Sequence, residues 1–208
     1  QDLGYTDSQE EYRQAQGLTS LEVGRVIAEH RERYTVKTPD EEYDSELVGR
    51  LRFTAEGRHD FPAVGDWVSF SEYDEGKALI HEIYHRHSII ERKAVGKSTQ
   101  VQIIATNIDV GLIVQAVNRD FNLNRLERYL TICNASNVAP VIVLSKIDLI
   151  EEATLQEFIA QITKRLGEIK IVSVSNQQTN GYAAVQALIE KGKTYCYWVL
   201  LGVVNQPY

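Results

Sequence analysis

Val141-Ile142-Val143-Leu144-Ser145-Lys146-Ile147-Asp148-Leu149 is the stretch whose reading decides the fold. Four consecutive branched apolar residues read as a strand buried on both faces, the habit of parallel sheets covered by helices. The strand runs directly into Ser-Lys-x-Asp. A lysine and an aspartate in that position lie at the carboxyl end of the strand, where open α/β sheets bind ligands. One carboxylate there accepts two adjacent N–H donors at once, an edge that guanine presents and adenine does not, and a lysine stem can lie along a purine face. The alternative for these four residues is a solvated turn after a strand, and the surrounding chain decides between the two.

Working outward, the flanks alternate strand and helix. Residues 101–105 and 110–117 read as strands. Residues 124–135 read as an amphipathic helix with Leu126, Tyr129, Leu130 and Cys133 on one face. Residues 154–166 form a second helix with Leu155, Phe158, Ile159 and Ile162 inward, 169–174 a strand ending in Ser173-Val174-Ser175, and 182–189 a third helix. Strands alternating with helices imply a parallel sheet.

Upstream the pattern changes. Val23, Arg25, Ile27 and Tyr34, Val36, Thr38 alternate; Glu46-Leu47-Val48-Gly49-Arg50-Leu51 follows an acidic turn; then come Gly65-Asp66-Trp67-Val68-Ser69-Phe70, Ala78-Leu79-Ile80-His81-Glu82-Ile83 and Ser88-Ile89-Ile90. Short strands separated by turn signals predict a small closed barrel of the OB type. Residues 1–17 are acidic and polar, with Ser8-Gln9-Glu10-Glu11 able to form a short capped helix, and read as a loosely attached arm. The resulting organisation is an acidic arm over 1–17, an all-β barrel over 18–93 and an α/β region over 94–208.

Composition narrows the class. No apolar run is long enough to span a bilayer, and Gln1-Asp2-Leu3-Gly4 does not begin a signal peptide, so a cytoplasmic protein is expected. Cys133 and Cys196 make neither a disulfide framework nor a zinc cluster, and their apolar settings predict buried thiols. Residues 1–92 carry 20 Asp and Glu against 11 Lys and Arg, whereas 93–208 carry 9 against 11. An acidic first half argues against unspecific adhesion to nucleic acid, although a local basic stripe is compatible with it. His81, His85 and His87 beside Arg86, Arg92 and Lys93 read as a solvated basic edge, or functionally as an RNA-facing stripe; a metal site there would need a further ligand. Gly96-Lys97-Ser98-Thr99 imitates the end of a phosphate loop, but Glu91 stands where the pattern needs glycine and a strand follows instead of a helix. Gly192-Lys193-Thr194 fails likewise, with Ala187 in the glycine position. Both read as turns, which leaves a phosphate-loop kinase a distant alternative.

A barrel with Gly-Asp-Trp-Val, then Ile104-Ala105-Thr106-Asn107-Ile108-Asp109, then Asp120-Phe121-Asn122-Leu123-Asn124-Arg125-Leu126-Glu127-Arg128-Tyr129-Leu130, then the Ser-Lys-x-Asp strand, recur in a known order. From about residue 18 to 196 the chain resembles the circularly permuted, ribosome small-subunit-dependent GTPases of the RsgA, or YjeQ, family, and Ser145-Lys146-Ile147-Asp148 resembles the Asn/Thr-Lys-x-Asp guanine motif of GTPases. The resemblance implies an OB domain followed by a GTPase domain in which the guanine motif precedes the phosphate loop, and a zinc-binding C-terminal domain. It implies GTP or GDP as ligand with magnesium in the full-length protein, the small ribosomal subunit and its rRNA as partners, no membrane, and a monomer. Carried over, Ser145, Lys146 and Asp148 recognise guanine, and Ser173 and Val174 take the place of the family's Ser-Ala backbone contact to the base.

Two departures stand out. Ser145 replaces the usual Asn or Thr. The family's phosphate loop is due after Lys193-Thr194-Tyr195-Cys196, where this chain reads Tyr197-Trp198-Val199-Leu200-Leu201-Gly202-Val203-Val204-Asn205-Gln206-Pro207-Tyr208. Regrouped by one base from the last G of the Trp198 codon, the codons possible for this tail permit Gly-Ser-Ser-Gly-Gly-Gly-Lys-Ser-Thr, a complete phosphate loop. The expectation is a single-base slip just after Cys196 that truncates a full-length GTPase before its phosphate loop and zinc domain. Without those parts the chain is expected to hydrolyse GTP negligibly, because phosphoryl transfer relies on them for positioning and charge. The competing function is a non-catalytic ribosome- or RNA-binding module built on the barrel.

Overall fold

The computed structural model describes residues 3–93, 101–118 and 121–200. Gly96-Lys97-Ser98-Thr99, Asp120 and the tail from Leu201 onward, on which the regrouped phosphate loop depends, lie outside the described residues. The chain divides into two compact units, Gln1–Ile108 and Asp109–Tyr208.

In the first unit, β1 (Glu22–His30), β2 (Arg33–Lys37), β3 (Glu42–Leu47), β4 (Trp67–Asp74) and β5 (Lys77–Ile83) close into a barrel in the order β1-β2-β3-β5-β4. Alternation produces it: Tyr34 and Val36 of β2 and Tyr43, Ser45 and Leu47 of β3 point inward, while Arg33, Glu42 and Asp44 point out. The core joins Val26, Tyr34, Val36, Tyr43, Leu47, Val68, Phe70, Ala78 and Ile80. Closure needs β3 and β5 to pair in parallel while every other neighbour is antiparallel. This is the small closed barrel expected from the sequence, with five strands.

Three details differ from expectation. Residues 48–51 do not extend a strand: β3 ends at Leu47, and a short helix, Gly49–Thr54, follows at once. A helical turn brings Leu51 against the barrel core, where it packs together with Phe61. The segment 1–17 is docked, not loose. Its helix α1 (Asp7–Ala15) is opened by Gln9 Oε1, which accepts from the Thr6 N–H at 2.9 Å. The Tyr5 ring meets Trp67 edge-on at 5.0 Å, Tyr12 lies 5.1 Å from Tyr84, and Arg13 donates to the carbonyls of Thr19 and Leu21. The two tyrosines are the cause, since each removes a large ring face from water. Finally, β6 (Ile89–Lys93) and β7 (Val101–Thr106) pair with each other as an antiparallel two-stranded sheet in the first unit. The connection over 94–100 is too short for a parallel crossover, which needs about a dozen residues or more.

The Gly-Asp-Trp turn binds this hairpin to the barrel. Asp66 is fully buried. Its Oδ1 accepts from Arg86 Nε (2.8 Å) and Thr106 Oγ1 (2.6 Å), and its Oδ2 from Arg86 Nη2 (2.6 Å) and the Ala63 N–H (2.8 Å). Gly65 has φ +101°, and a Cβ there would lie 2.1 Å from the Thr106 carbonyl oxygen, so only glycine fits. Arg25 stacks over Trp67 and donates to the carbonyls of Gly65 and Asn107, and Asn107 Nδ2 also donates to Gly65 O.

In the second unit, β8 (Val110–Ala116), β9 (Ala139–Ser145), β10 (Lys170–Val174) and β11 (Tyr195–Leu200) form one sheet in the order β10-β9-β8-β11, parallel throughout. Val141 to Leu144 are all buried, as their composition predicts. Numbering the short helix Gly49–Thr54 as α2, the helices of this unit are α3 (Leu123–Ala135), α4 (Glu152–Leu166) and α5 (Ala183–Gln186). Leu126, Leu130 and Cys133 of α3 and Leu155 and Ile162 of α4 are buried at helical spacing. Asn122 caps α3 by accepting from the N–H groups of Asn124 and Arg125. Helix α5 is shorter than the 182–189 predicted, because the Tyr195 hydroxyl donates to the Leu188 carbonyl and its oxygen accepts from the Glu190 N–H. Cys133 is buried and Cys196 half-buried; burial pushes their thiols up to about 11 and about 12. Among the described residues no helix is long and apolar enough to cross a membrane.

Candidate functional site

Register aligns the carboxyl ends of three strands: Ser145 of β9 lies between Ala116 of β8 and Val174 of β10. Here the buried apolar run gives way to polar residues. Ser145 is half-buried, and its carbonyl accepts from the Val117 N–H at 3.0 Å. Lys146 follows in the left-handed region, at φ 62° and ψ 37°, and the chain then makes a single 3-10 turn, Ile147–Leu149, closed by Leu149 N–H donating to Lys146 O at 3.1 Å. That left-handed residue turns the chain sharply off the strand, and Lys146 and Asp148 both emerge exposed.

Asp148 does not hang free. The Ser175 hydroxyl donates to its Oδ1. Ser175 is fully buried, the first residue past β10, and its Oγ also accepts from the Gln177 N–H at 3.1 Å. A hydroxyl has one proton to give, and here the carboxylate receives it. The loop after β10 is folded back to make this possible: the Ser175 N–H donates to Gly181 O at 3.3 Å, and a Cβ on Gly181 would lie 1.9 Å from Ser175 O. Beside the turn, a cleft of about 350 Å³ is lined by Ile147, Asp148, Ile150, Glu152, Leu155 and Gln178. A half-held, exposed carboxylate with a lysine two residues before it can accept paired N–H donors from a planar ring while the lysine stem covers the ring face.

Ser173 and Val174 sit in the β10 ladder, in register with Leu144 and Ser145; Val174 is buried and Ser173 half-buried. Ser175, which sequence reasoning left unassigned, is the residue that reaches Asp148. The signal for it is positional: of two serines two residues apart, the second lies past the end of the ladder, where strand-end sites are built.

Other candidates resolve differently. Arg86 is not part of a solvated edge, since its guanidinium is taken up by Asp66 and by the carbonyls of His59 and Phe61, and its side chain is 8% exposed. His81 bonds Ser71 Oγ at 2.8 Å and His85 lies edge-on to Tyr12. Gly192-Lys193-Thr194 is a turn leading into β11, held by Asp109, which accepts from the Thr194 N–H at 2.8 Å and lies 3.6 Å from Lys193 Nζ. Among the described residues, no group of three or more His, Cys, Asp or Glu side chains is placed to hold a metal ion.

Comparison with known proteins places this geometry in context. A family model described as RsgA GTPase matches residues 83–202. "Small ribosomal subunit biogenesis GTPase RsgA 2" of Lactiplantibacillus plantarum is 38% identical over 182 residues, covering 87% of this chain and 51% of that protein. "Small ribosomal subunit biogenesis GTPase RsgA" of Opitutus terrae is 35% identical over 179 residues, covering 82% of this chain and 48% of the relative. The chain therefore spans about half the length of the curated relatives it matches. Among solved structures, the circularly permuted GTPase YloQ aligns with a TM-score of 0.67 at 22% identity, covering 88% of this chain and 61% of that one. YjeQ from Thermotoga maritima aligns with the same TM-score at 20% identity, covering 88% and 60%. At these identities the structures speak to the fold alone.

Proposed function

This chain belongs to the RsgA GTPase family, and we propose that its second unit carries the guanine-recognition half of a GTPase that acts in maturation of the small ribosomal subunit. The observation that carries this reading is the Asp148 carboxylate, exposed at the end of β9 and oriented by the buried Ser175 hydroxyl. In the proposed complex Asp148 accepts the N1–H and the exocyclic amine of guanine. The Lys146 stem covers one face of the ring, and Ser145 adds a hydroxyl at the strand end. Ser173 and Val174 form the strand that carries the backbone toward the base, and Ser175 positions the carboxylate. The ligands are GTP and GDP; when bound, magnesium supplies charge to the phosphates. The proposed partner is the small ribosomal subunit with its rRNA, in the cytoplasm; the names of the relatives give small ribosomal subunit biogenesis for those proteins.

A second reading, RNA contact by the barrel without hydrolysis, is favoured by Phe53 of α2, 93% exposed and next to Arg52 in the chain. Aromatic rings beside arginines stack unpaired bases.

The discriminating experiment measures GDP and XDP binding to the parent chain and to Asp148→Asn. Xanthine presents a carbonyl where guanine has its amine, so an amide at 148 favours it. GDP affinity should fall about a hundredfold, since each charge-assisted bond is worth roughly 1.5–3 kcal/mol and each 1.4 kcal/mol is tenfold, and the preference should turn toward XDP. An unchanged GDP to XDP ratio would make Ser145-Lys146-Ile147-Asp148 a plain strand-end turn.

A further inference from the structure

The two edges of the β10-β9-β8-β11 sheet are built differently. At one edge β10 opens on the exposed Lys170, and α5 packs against the strand. At the other edge β11 reads Tyr195-Cys196-Tyr197-Trp198-Val199-Leu200, with no charge, no proline and no glycine. Its register with β8 is regular from Tyr195 to Leu200, so no bulge turns it away. Among the described residues, β8 is the one strand paired with it, which leaves the outer row of its N–H and C=O groups without a ladder. Strand edges in native proteins are blunted by lysine, proline, a bulge or a covering element, and an uncharged edge rich in β-formers invites another strand.

One face of the same strand is open as well. Trp198 turns toward α3, where its ring lies 5.7 Å from that of Tyr129. Successive side chains alternate, so Tyr197 and Val199 point to the opposite face, where they are 73% and 51% exposed. Their ladder neighbours Leu112 and Val114 are half-buried, whereas Gly111, Ile113 and Gln115 on the α3 side are buried. Edge and face together make one apolar strip, and neither β11 nor β8 carries a charged residue beside it.

An occupant has to bring a strand to the edge and apolar side chains to Tyr197 and Val199, and a charge on it meets no counter-charge. A two-fold axis sets a patch against its own copy, which penalises a charged patch and leaves a neutral one unharmed. The strand that fits β11 is therefore β11 itself. We infer that the 208-residue chain forms a closed dimer, in place of the monomer that the family resemblance implies, with the β11 strands of two copies paired antiparallel about Trp198. In that register Tyr197 of one copy stands opposite Val199 of the second copy on the open face, an aromatic–β-branched pair made twice. The two sheets become one, and its outer edges are both β10, so no third copy is recruited.

Sedimentation velocity on the 208-residue chain over a concentration series tests this. The mass should rise from that of a monomer toward twice that value and stop there. Val199→Lys and Tyr197→Glu should each weaken the association about tenfold, because every dimer contains the change twice. Thermal unfolding at low concentration should stay at the parent value, since both side chains are exposed. An equimolar mixture of the two variants should regain a dimer, because the introduced lysine of one chain then faces the introduced glutamate of the other, a pairing neither variant makes alone. In the parent chain, amide exchange over residues 195–200 should slow as concentration rises. A chain that remains monomeric, a dimer that both substitutions leave intact, association beyond two copies, a mixture that stays monomeric, or exchange over 195–200 that is independent of concentration each overturns the inference.

Discussion

Asp66 in the first unit and Asp148 in the second are both aspartates at a turn beside a strand, and the structure treats them in opposite ways. Asp66 is fully buried, and both its oxygens are filled by Arg86, Thr106 and the Ala63 N–H. Asp148 is exposed, and the Ser175 hydroxyl steers its Oδ1. Lone pairs consumed inside the fold can only hold the fold together; lone pairs turned to solvent from a fixed position are available to a ligand. The contrast separates the two residues more sharply than their sequence contexts do, since Gly-Asp-Trp and Lys-Ile-Asp both look like strand-boundary turns.

The largest expected effect breaks the buried side. Asp66→Asn removes the negative partner of a buried arginine, and losing one member of such a pair costs about 3–5 kcal/mol. Urea unfolding followed by Trp67 fluorescence, with Trp198 replaced by phenylalanine, measures it. A loss below about 1 kcal/mol would mean that Arg86 is satisfied by the carbonyls of His59 and Phe61 alone.

Gly65→Ala comes next, at about 1–3 kcal/mol, the range for a side chain forced into unfavourable backbone geometry. Its Cβ would also press on the Thr106 carbonyl, so β7 must shift. Native-state hydrogen exchange should show lost protection in β6 and β7 before the barrel, and an unaltered pattern would remove the Gly65–Thr106 contact as the fastening point. The smallest effect sharpens the other side. Asp148→Asn keeps an acceptor for Ser175, so the thermal unfolding of the second unit should move by no more than about 0.5 kcal/mol, the usual range for a surface change. A drop comparable to that of Asp66→Asn would make Asp148 a structural residue.

What the sequence makes legible follows from how local each signal is. The buried strand at 141–144 is visible because both faces are apolar, and the barrel because inward and outward residues alternate. The helix Gly49–Thr54 is hidden, since Leu47 and Leu51 fit the two-residue alternation of a strand as well as the four-residue spacing of a helix. The docking of residues 1–17 rests on Tyr5 and Tyr12, two rings inside a polar stretch, whose partners Trp67 and Tyr84 are distant in the chain. At the candidate site, Lys146 and Asp148 stand out as charges directly after an apolar run. The role of Ser175 is not readable in the same way, because Ser173 and Ser175 are identical in kind and only the register with β9 shows which of them leaves the ladder.

The left-handed conformation of Lys146 has a further consequence for how this protein can be altered. A lysine pays roughly 1–2 kcal/mol there, which glycine or asparagine largely avoids. Selection for thermal resistance alone would therefore drive position 146 toward those residues and strip away the side chain proposed to cover the base. Position 146 is thus a point where robustness and ligand affinity pull in opposite directions, and a stabilised variant of this protein is best sought anywhere else in the second unit.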